Sequence, residues 1–476
     1  MMMLFRVEEL NKYNKTVFFT VAALILFLSA MALPKYPGDA SVYILFTLVS
    51  NALLYVGFSK NSIFFDAFIG VFFWLGFWLK LTLRVAFSDG IFNQAVGDFD
   101  GSGLAFDRAL LVTICGLSGL LLMSLIRRKW FFNYPEQIEK VHHWGLFSIY
   151  KNNRKIILSF FILLFICVAI SNAVLVIYQR GRITQTILPF GLNGVYKWLL
   201  LFGLASFSAL MLRFEFEINK RTSLLVMFLS LLESCTTNIS LLSRGMILNT
   251  SALIYGVLIS LKQYQLKSKI SFFIATFIIF STLFISSVLL VNYLRTTIYL
   301  DNSTDSFSQT HAMTTPLFID RWVGMEGVMA VSSYPNLSWD LFKIALKEKY
   351  NENDTSFYDN NIIDSSYVDT DKSKHHFISL PGIVAFFYYP GSFVFLFLSM
   401  LVLGGLAAFV EFSTYKLGGL NVILCALFAQ VVAFRFASFG YVPAQSYLLL
   451  GSLFLNLLII YFAEHFVRFF KKQQTD

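Results

Sequence analysis

Six arginines stand where a cation is costly. Arg180 and Arg182 flank Gly181 in a short stretch, 179–194, that holds no acid. Arg244 sits in Ser243-Arg244-Gly245, after the polar run Glu233-Ser-Cys-Thr-Thr-Asn-Ile-Ser240. Arg295 follows a long apolar run. Arg321 opens Arg321-Trp-Val-Gly-Met-Glu-Gly-Val328, and Arg435 lies in Ala433-Phe-Arg-Phe-Ala-Ser-Phe-Gly440. An arginine within an apolar span costs about 2.5–3.5 kcal/mol on the insertion scale, so it needs a partner or a task. Guanidinium is always charged, and its planar fork matches phosphate oxygens. The chemistry these residues could do is to hold an anion. Five also have a purely structural use: Arg180 and Arg182 among headgroups or solvent, Arg244 paired with Glu233, Arg295 as an interfacial anchor, and Arg321 paired with Glu326 or Asp320; Arg435, among three Phe, must point inward or find an anion.

Other side chains fit the same chemistry. Trp322 beside Arg321, with Glu326 following, suits a sugar ring stacked next to a phosphate. His375 and His376 precede Phe377-Ile-Ser-Leu-Pro381-Gly382, and histidine can move a proton near neutral pH. Asp98-Phe-Asp100 has the spacing of a metal pair on a phosphosugar, but Asp98-Phe-Asp-Gly-Ser-Gly103 reads better as a solvated acidic turn. His142 and His143 lie in a basic stretch and read as solvated. Cys115, Cys167, Cys235 and Cys425 fit no zinc spacing. The P-loop, HExxH, GxSxG and Rossmann patterns are absent. No metal and no cofactor is expected.

These residues need elements to hold them, and composition says what kind. The 476 residues are 57% hydrophobic and 14% charged, with 54 Phe, and mean hydropathy is +0.67. Soluble domains are roughly 45–50% apolar and about 25% charged. This excludes a cytosolic enzyme, a nucleic-acid binder and a disulfide-rich secreted domain, and makes the lipid bilayer a partner. Twelve stretches approach the roughly 20 apolar residues that a crossing helix needs: 16–34, 41–58, 63–80, 108–126, 156–178, 195–213, 222–241, 246–261, 270–294, 391–411, 419–437 and 446–466. The first is too long, and lacks the small-residue cleavage site, for a removed signal peptide. The expected fold is an all-α polytopic membrane protein of about 12 helices.

Placing both termini in the cytoplasm puts 21 of the 37 lysines and arginines inside, including the basic loop 127–155, as the positive-inside rule requires. The arginines above then lie at the outer face. Three regions follow: helices 1–9 over 1–294, a large external loop over 295–379, and helices 10–12 with the C-terminus over 380–476. The loop carries 12 acids and 7 bases. Asp340–Lys349 reads as a short helix with Ser338 as N-cap. Trp322, Met325 and Met329 form a second apolar stripe. The acidic stretch 351–374 reads as mobile.

The layout of twelve spans, a late external loop, Ser243-Arg244-Gly245, the His376 exit through Ile378-Ser-Leu-Pro381, and Arg435 resembles the Wzy-type O-antigen and polysaccharide repeat-unit polymerases. The related O-antigen ligases share the layout, but His375-His376-Phe377 departs from their loop motif. The resemblance implies a metal-independent glycosyltransferase of the bacterial inner membrane. Two undecaprenyl-diphosphate-linked oligosaccharides would meet at the periplasmic face. A sugar hydroxyl of one would attack the anomeric carbon of the other, and undecaprenyl diphosphate would leave. On that reading His376, Arg244, Arg321 and Arg435 are the catalytic set, and Arg180, Arg182, Arg295, Trp322 and Glu326 bind substrate. A chain-length regulator is a candidate partner. The competing readings are a lipid-linked oligosaccharide flippase, a metal-using lipid-phosphosugar glycosyltransferase, an O-antigen ligase and an integral-membrane acyltransferase.

Overall fold

The computed structural model describes residues 4–5, 10–137, 145–266, 268–299, 319–351, 354–365 and 377–475. The described residues are mainly helical. In order come α1 (Leu10–Ala32), α2 (Ala40–Gly57), α3 (Phe64–Phe87), α4 (Gly103–Trp130), α5 (Gly145–Asn152), α6 (Arg154–Leu175), α7 (Pro189–Asn219), α8 (Leu224–Ser240) and α9 (Met246–Gln263). They are followed by α10 (Ile270–Tyr299), α11 (Met325–Ser333), α12 (Trp339–Leu346), α13 (Ile383–Phe387), α14 (Phe393–Leu417), α15 (Val422–Ala437) and α16 (Ala444–Thr475). Leu4–Phe5 pairs antiparallel with Ser268–Lys269, the one strand pairing among the described residues.

Every apolar stretch read from the sequence falls on a helix. Among the described residues nine are long and apolar enough to cross a membrane, and 19–35, 224–240 and 422–437 are shorter apolar helices. The short α15 is the centre of the bundle. Its residues Val422 to Gln430 are all buried, and it packs on α3, α7, α9 and α14. A helix apolar all round belongs inside a bundle. Asn421 caps it, its Oδ1 accepting from the Ile423 and Leu424 amides at 3.0 and 3.3 Å. The outer helix α10 is largely exposed and apolar, as a lipid-facing helix must be.

The connections fall into two sets. In one, Arg180 N donates to Leu241 O at 3.0 Å, Ser338 N to Tyr389 O at 3.0 Å and Gly382 N to Phe439 O at 2.9 Å. In the other, Arg127 Nη2 donates to Asn61 O at 2.9 Å, Gln263 Nε2 to Pro135 O at 3.1 Å and Arg213 Nη1 to Gly419 O at 3.0 Å.

The second set is tied by buried carboxylates. Asp66 accepts from Arg127 Nη2 at 2.7 Å and Ser124 Oγ at 2.8 Å. Glu411 accepts from the Phe64 and Phe65 amides at 2.8 and 2.9 Å, closing the N-terminus of α3, and from the Tyr134 hydroxyl at 2.6 Å. An acceptor at a helix start satisfies amides that have no partner within the helix. Glu464 does the same for α5, accepting from the Gly145 and Leu146 amides.

The described residues of the large loop pack into ordered elements. Ser338 caps α12 as expected, its Oγ accepting from Leu341 N at 3.1 Å. The helix ends at Leu346, three residues before Lys349. Met325 and Met329 are buried on α11. The expectation of mobility across 351–374 fails for 354–365: Tyr358, Asp359, Ile362 and Ile363 are buried. Polar groups there bond to one another, with Ser356 Oγ donating to Asp359 Oδ2 at 2.6 Å and Ser379 N to the same oxygen at 2.8 Å. Close backbone packing seals the loop against the bundle. A Cβ on Gly327 would lie 1.9 Å from Pro381 O, and Gly440, at φ +122°, sits under the Pro381 ring.

Candidate functional site

Four arginines far apart in sequence converge in the first set of loops. The convergence begins with Asn172, buried near the end of α6. Its Oδ1 accepts from Tyr178 N at 2.8 Å, and its Nδ2 donates to Ser240 Oγ at 2.8 Å and Tyr178 O at 3.0 Å. This fixes the loop carrying Arg180 against the end of α8. The chain then turns through Leu242, at φ +51°, with Ser243 N donating to Asn238 O at 2.8 Å. That turn presents Arg244.

Arg321 comes to the same place from the large loop. Its Nη1 donates to Arg244 O at 2.8 Å. Burial and then repulsion from Arg180, Arg244 and Arg295 push its guanidinium down to about 9. It stays charged at neutral pH, so like charges are held together in a desolvated place. Such an arrangement is unfavourable in itself and is relieved by an anion.

The segment holding Arg321 is fixed from the side of α3. Lys80 is wholly buried. Its Nζ donates to both carboxylate oxygens of Glu326 at 2.9 Å, to Trp322 O at 2.5 Å and to Asp320 O at 3.2 Å. One turn on, Arg84 pairs with Asp320 at 2.5 Å. The other Asp320 oxygen accepts from Asn93 Nδ2 at 2.7 Å, and its carbonyl from Gln94 Nε2 at 3.2 Å. Residues Trp74–Leu79 of α3 form a π turn, a feature that often marks functional sites. It brings Gly76 so close that a Cβ there would lie 2.3 Å from Val323 O. Trp322 stacks on Phe72, ring centroids 5.8 Å apart.

Of the residues singled out from sequence, Arg180, Arg244, Arg295 and Arg321 are therefore together. Arg182 points to Gln179, its Nη1 donating to Oε1 at 3.1 Å. Glu326 faces Lys80 and not Arg321, so it belongs to the support of the site. The Glu233–Arg244 pair does not form; Glu233 accepts instead from Thr237 Oγ1 at 3.0 Å. Arg435 turns inward, as its three Phe neighbours demand. It donates to Ser446 Oγ at 3.0 Å, Tyr441 O at 3.2 Å and Val442 O at 3.4 Å, and lies over Phe439. Its place is to shape the 440–443 turn beside the cluster. Glu348 grips that turn from the other side, accepting from Val442 N at 3.0 Å.

His375, His376, His142 and His143 lie outside the described residues. Asp98 and Asp100 are exposed, and Asp100 Oδ1 accepts from Ser102 N at 2.9 Å in the turn expected there. Among the described residues no three metal-type side chains converge. The four cysteines are free.

The residues missed from sequence are Lys80, Arg84, Asn93 and Gln94. The available signal was Lys80 ending the run Trp74-Leu-Gly-Phe-Trp-Leu79, with Arg84 one helical turn later. The chain matches no known protein family, no curated protein and no solved structure.

Proposed function

We propose that the protein is a membrane glycosyltransferase that polymerises lipid-linked oligosaccharide repeat units, with a polyprenyl diphosphate as leaving group. The observation that carries this reading is the convergence of Arg180, Arg244 and Arg295 on the buried Arg321. In the reaction, the bond between the donor's anomeric carbon and the diphosphate oxygen breaks, and its electron pair goes to the diphosphate. The acceptor hydroxyl oxygen bonds to that carbon and gives up its proton, for which His376 is the assigned base. Negative charge grows on the diphosphate, so pre-placed cations help most there. The diphosphate cations are Arg180, Arg244, Arg295 and Arg321. Arg182 guides the incoming substrate, Trp322 offers a ring face to a sugar, and Arg435 acts by holding the adjacent turn.

The placement follows the same logic. Nine long apolar helices and three shorter ones support twelve crossings. With the basic loop 127–155 facing the cytoplasm, both termini lie inside and the arginines face the periplasm of the bacterial inner membrane. Undecaprenyl-diphosphate-linked oligosaccharide is the substrate and O-antigen or capsular polysaccharide the product.

Disrupting the protein in its host separates this reading from transport. Loss of a polymerase leaves single repeat units on the surface lipid, whereas loss of a flippase leaves none. Single units rescued to long chains by the wild type, but not by Arg244→Ala, is the expected result. Complete absence of surface repeat units would overturn the assignment. With purified lipid-linked units, turnover continues in EDTA; a strict divalent-metal requirement would contradict the arginine-based scheme.

A further inference from the structure

We infer that Lys80, seconded by Arg84, is a positioning residue that sets where the Arg321 guanidinium stands. This deepens the reading of the arginine cluster as an anion site and rests on it. Three observations on α3 and the loop carry the inference.

The first is the pattern of bonds. The four acceptor oxygens of Lys80 Nζ belong to Asp320, Trp322 and Glu326, within one seven-residue stretch. They bracket Arg321 on both sides in sequence. With Arg84, Asn93 and Gln94 all on Asp320, the peptide entering Arg321 has little freedom. The guanidinium is thus delivered to Arg244 O by bonds to backbone on either side of it.

The second is energetic. Lys80 and Glu326 are 0% and 3% exposed at their side chains. A buried ion pair seldom outperforms well-packed apolar residues of the same volume, but it does specify one arrangement. Here the ammonium has donors directed to two main-chain carbonyls as well as the carboxylate. An apolar pair could fill the space without fixing the backbone.

The third is steric. Gly76 and Gly324 lie against each other: a Cβ on Gly324 would stand 2.5 Å from Gly76 O. The π turn and the two glycines let the loop backbone reach α3 closely enough for Lys80 to grip it. The repulsion on Arg321 from its three neighbours would otherwise push that segment away, so the grip works against the cluster's own field.

The test uses the full-length protein in nanodiscs, with inorganic pyrophosphate as probe. Binding is followed by calorimetry, and backbone exchange over 319–326 by hydrogen–deuterium mass spectrometry. The variants are Lys80→Met, Lys80→Met/Glu326→Met and the milder Arg84→Gln. Exchange over 319–326 is expected to rise in all three. Pyrophosphate binding is expected to weaken about tenfold or more, as when a supporting group around a charged site is removed. The double variant, which leaves no unpaired charge, is expected to recover thermal stability but not affinity. Unchanged exchange in Lys80→Met, or in Arg84→Gln should Lys80→Met not fold, overturns the positioning role. So does recovery of full affinity in the double variant. Failure of the wild type to bind pyrophosphate, with exchange raised in the variants, would leave the clamp standing and remove the anion site.

Discussion

Replacing Arg321 with Met separates a site residue from a fold residue. Its guanidinium is held charged although burial and three neighbouring arginines bring it well below its ordinary value, to about 9. At 1.36 kcal/mol per pKa unit, that is a penalty of roughly 5 kcal/mol, of which relaxation and partial screening leave about 1–3 kcal/mol. Substitution removes this penalty. It also removes the charged hydrogen bond to Arg244 O, worth about 1.5–3 kcal/mol. The two nearly cancel, so Arg321→Met is expected to change stability by no more than about 2 kcal/mol. Truncating one member of a satisfied buried ion pair costs about 3–5 kcal/mol by comparison. Thermal unfolding in detergent, with and without pyrophosphate, reads both effects. Ligand at 100 times its Kd stabilises the wild type by about 2.7 kcal/mol, and the variant should show less than half of that. The pH dependence has a definite sign. The folded pKa lies below the unfolded one, so the unfolded chain holds the extra proton, and the wild type gains stability relative to Arg321→Met as pH rises through about 9. A variant that melts several degrees lower yet keeps the full pyrophosphate response would refute the reasoning.

Three further outcomes are expected. Gly327→Ala places a Cβ 1.9 Å from Pro381 O, so folded yield in detergent should collapse, with destabilisation beyond about 3 kcal/mol. Arg127→Met strands the buried Asp66 carboxylate and should cost about 3–5 kcal/mol by thermal unfolding without altering pyrophosphate binding. Burial raises the Glu348 carboxyl above its ordinary value, so the folded state binds that proton more tightly than the unfolded one. The stability of Glu348→Gln relative to wild type should therefore rise as pH climbs above the ordinary carboxyl value; a flat or falling difference in paired melts would contradict this.

The helices were legible because a bilayer leaves few choices. An apolar run must close its own hydrogen bonds, so each of the twelve stretches fell on a helix, and the charges beside them stood out. Arg180, Arg244, Arg295 and Arg321 could be named for the same reason, each being a cation where none is cheap. What held them was not legible. Lys80 finds its partners 240 residues or more away, and nothing local marks that pairing. Glu326 was read as a ligand because it follows Arg321 and Trp322, whereas α11 turns it to Lys80. The stretch 354–365 was read as mobile because its residues are polar. Asp359 instead takes hydrogen bonds from Ser356 and the Ser379 amide, which lets a polar turn pack as core. Arg435, read as either pointing inward or finding an anion, points inward, and its partners are a serine and carbonyls of the next turn, visible only once that turn is folded.

The most direct measurement of the central claim is an electron cryomicroscopy map of the protein with undecaprenyl diphosphate in a nanodisc. Density for the diphosphate between Arg180, Arg244, Arg295 and Arg321, within hydrogen-bond distance of the Arg321 guanidinium, is the predicted result. A bound diphosphate at another site, with these four side chains turned to protein carboxylates, would contradict it.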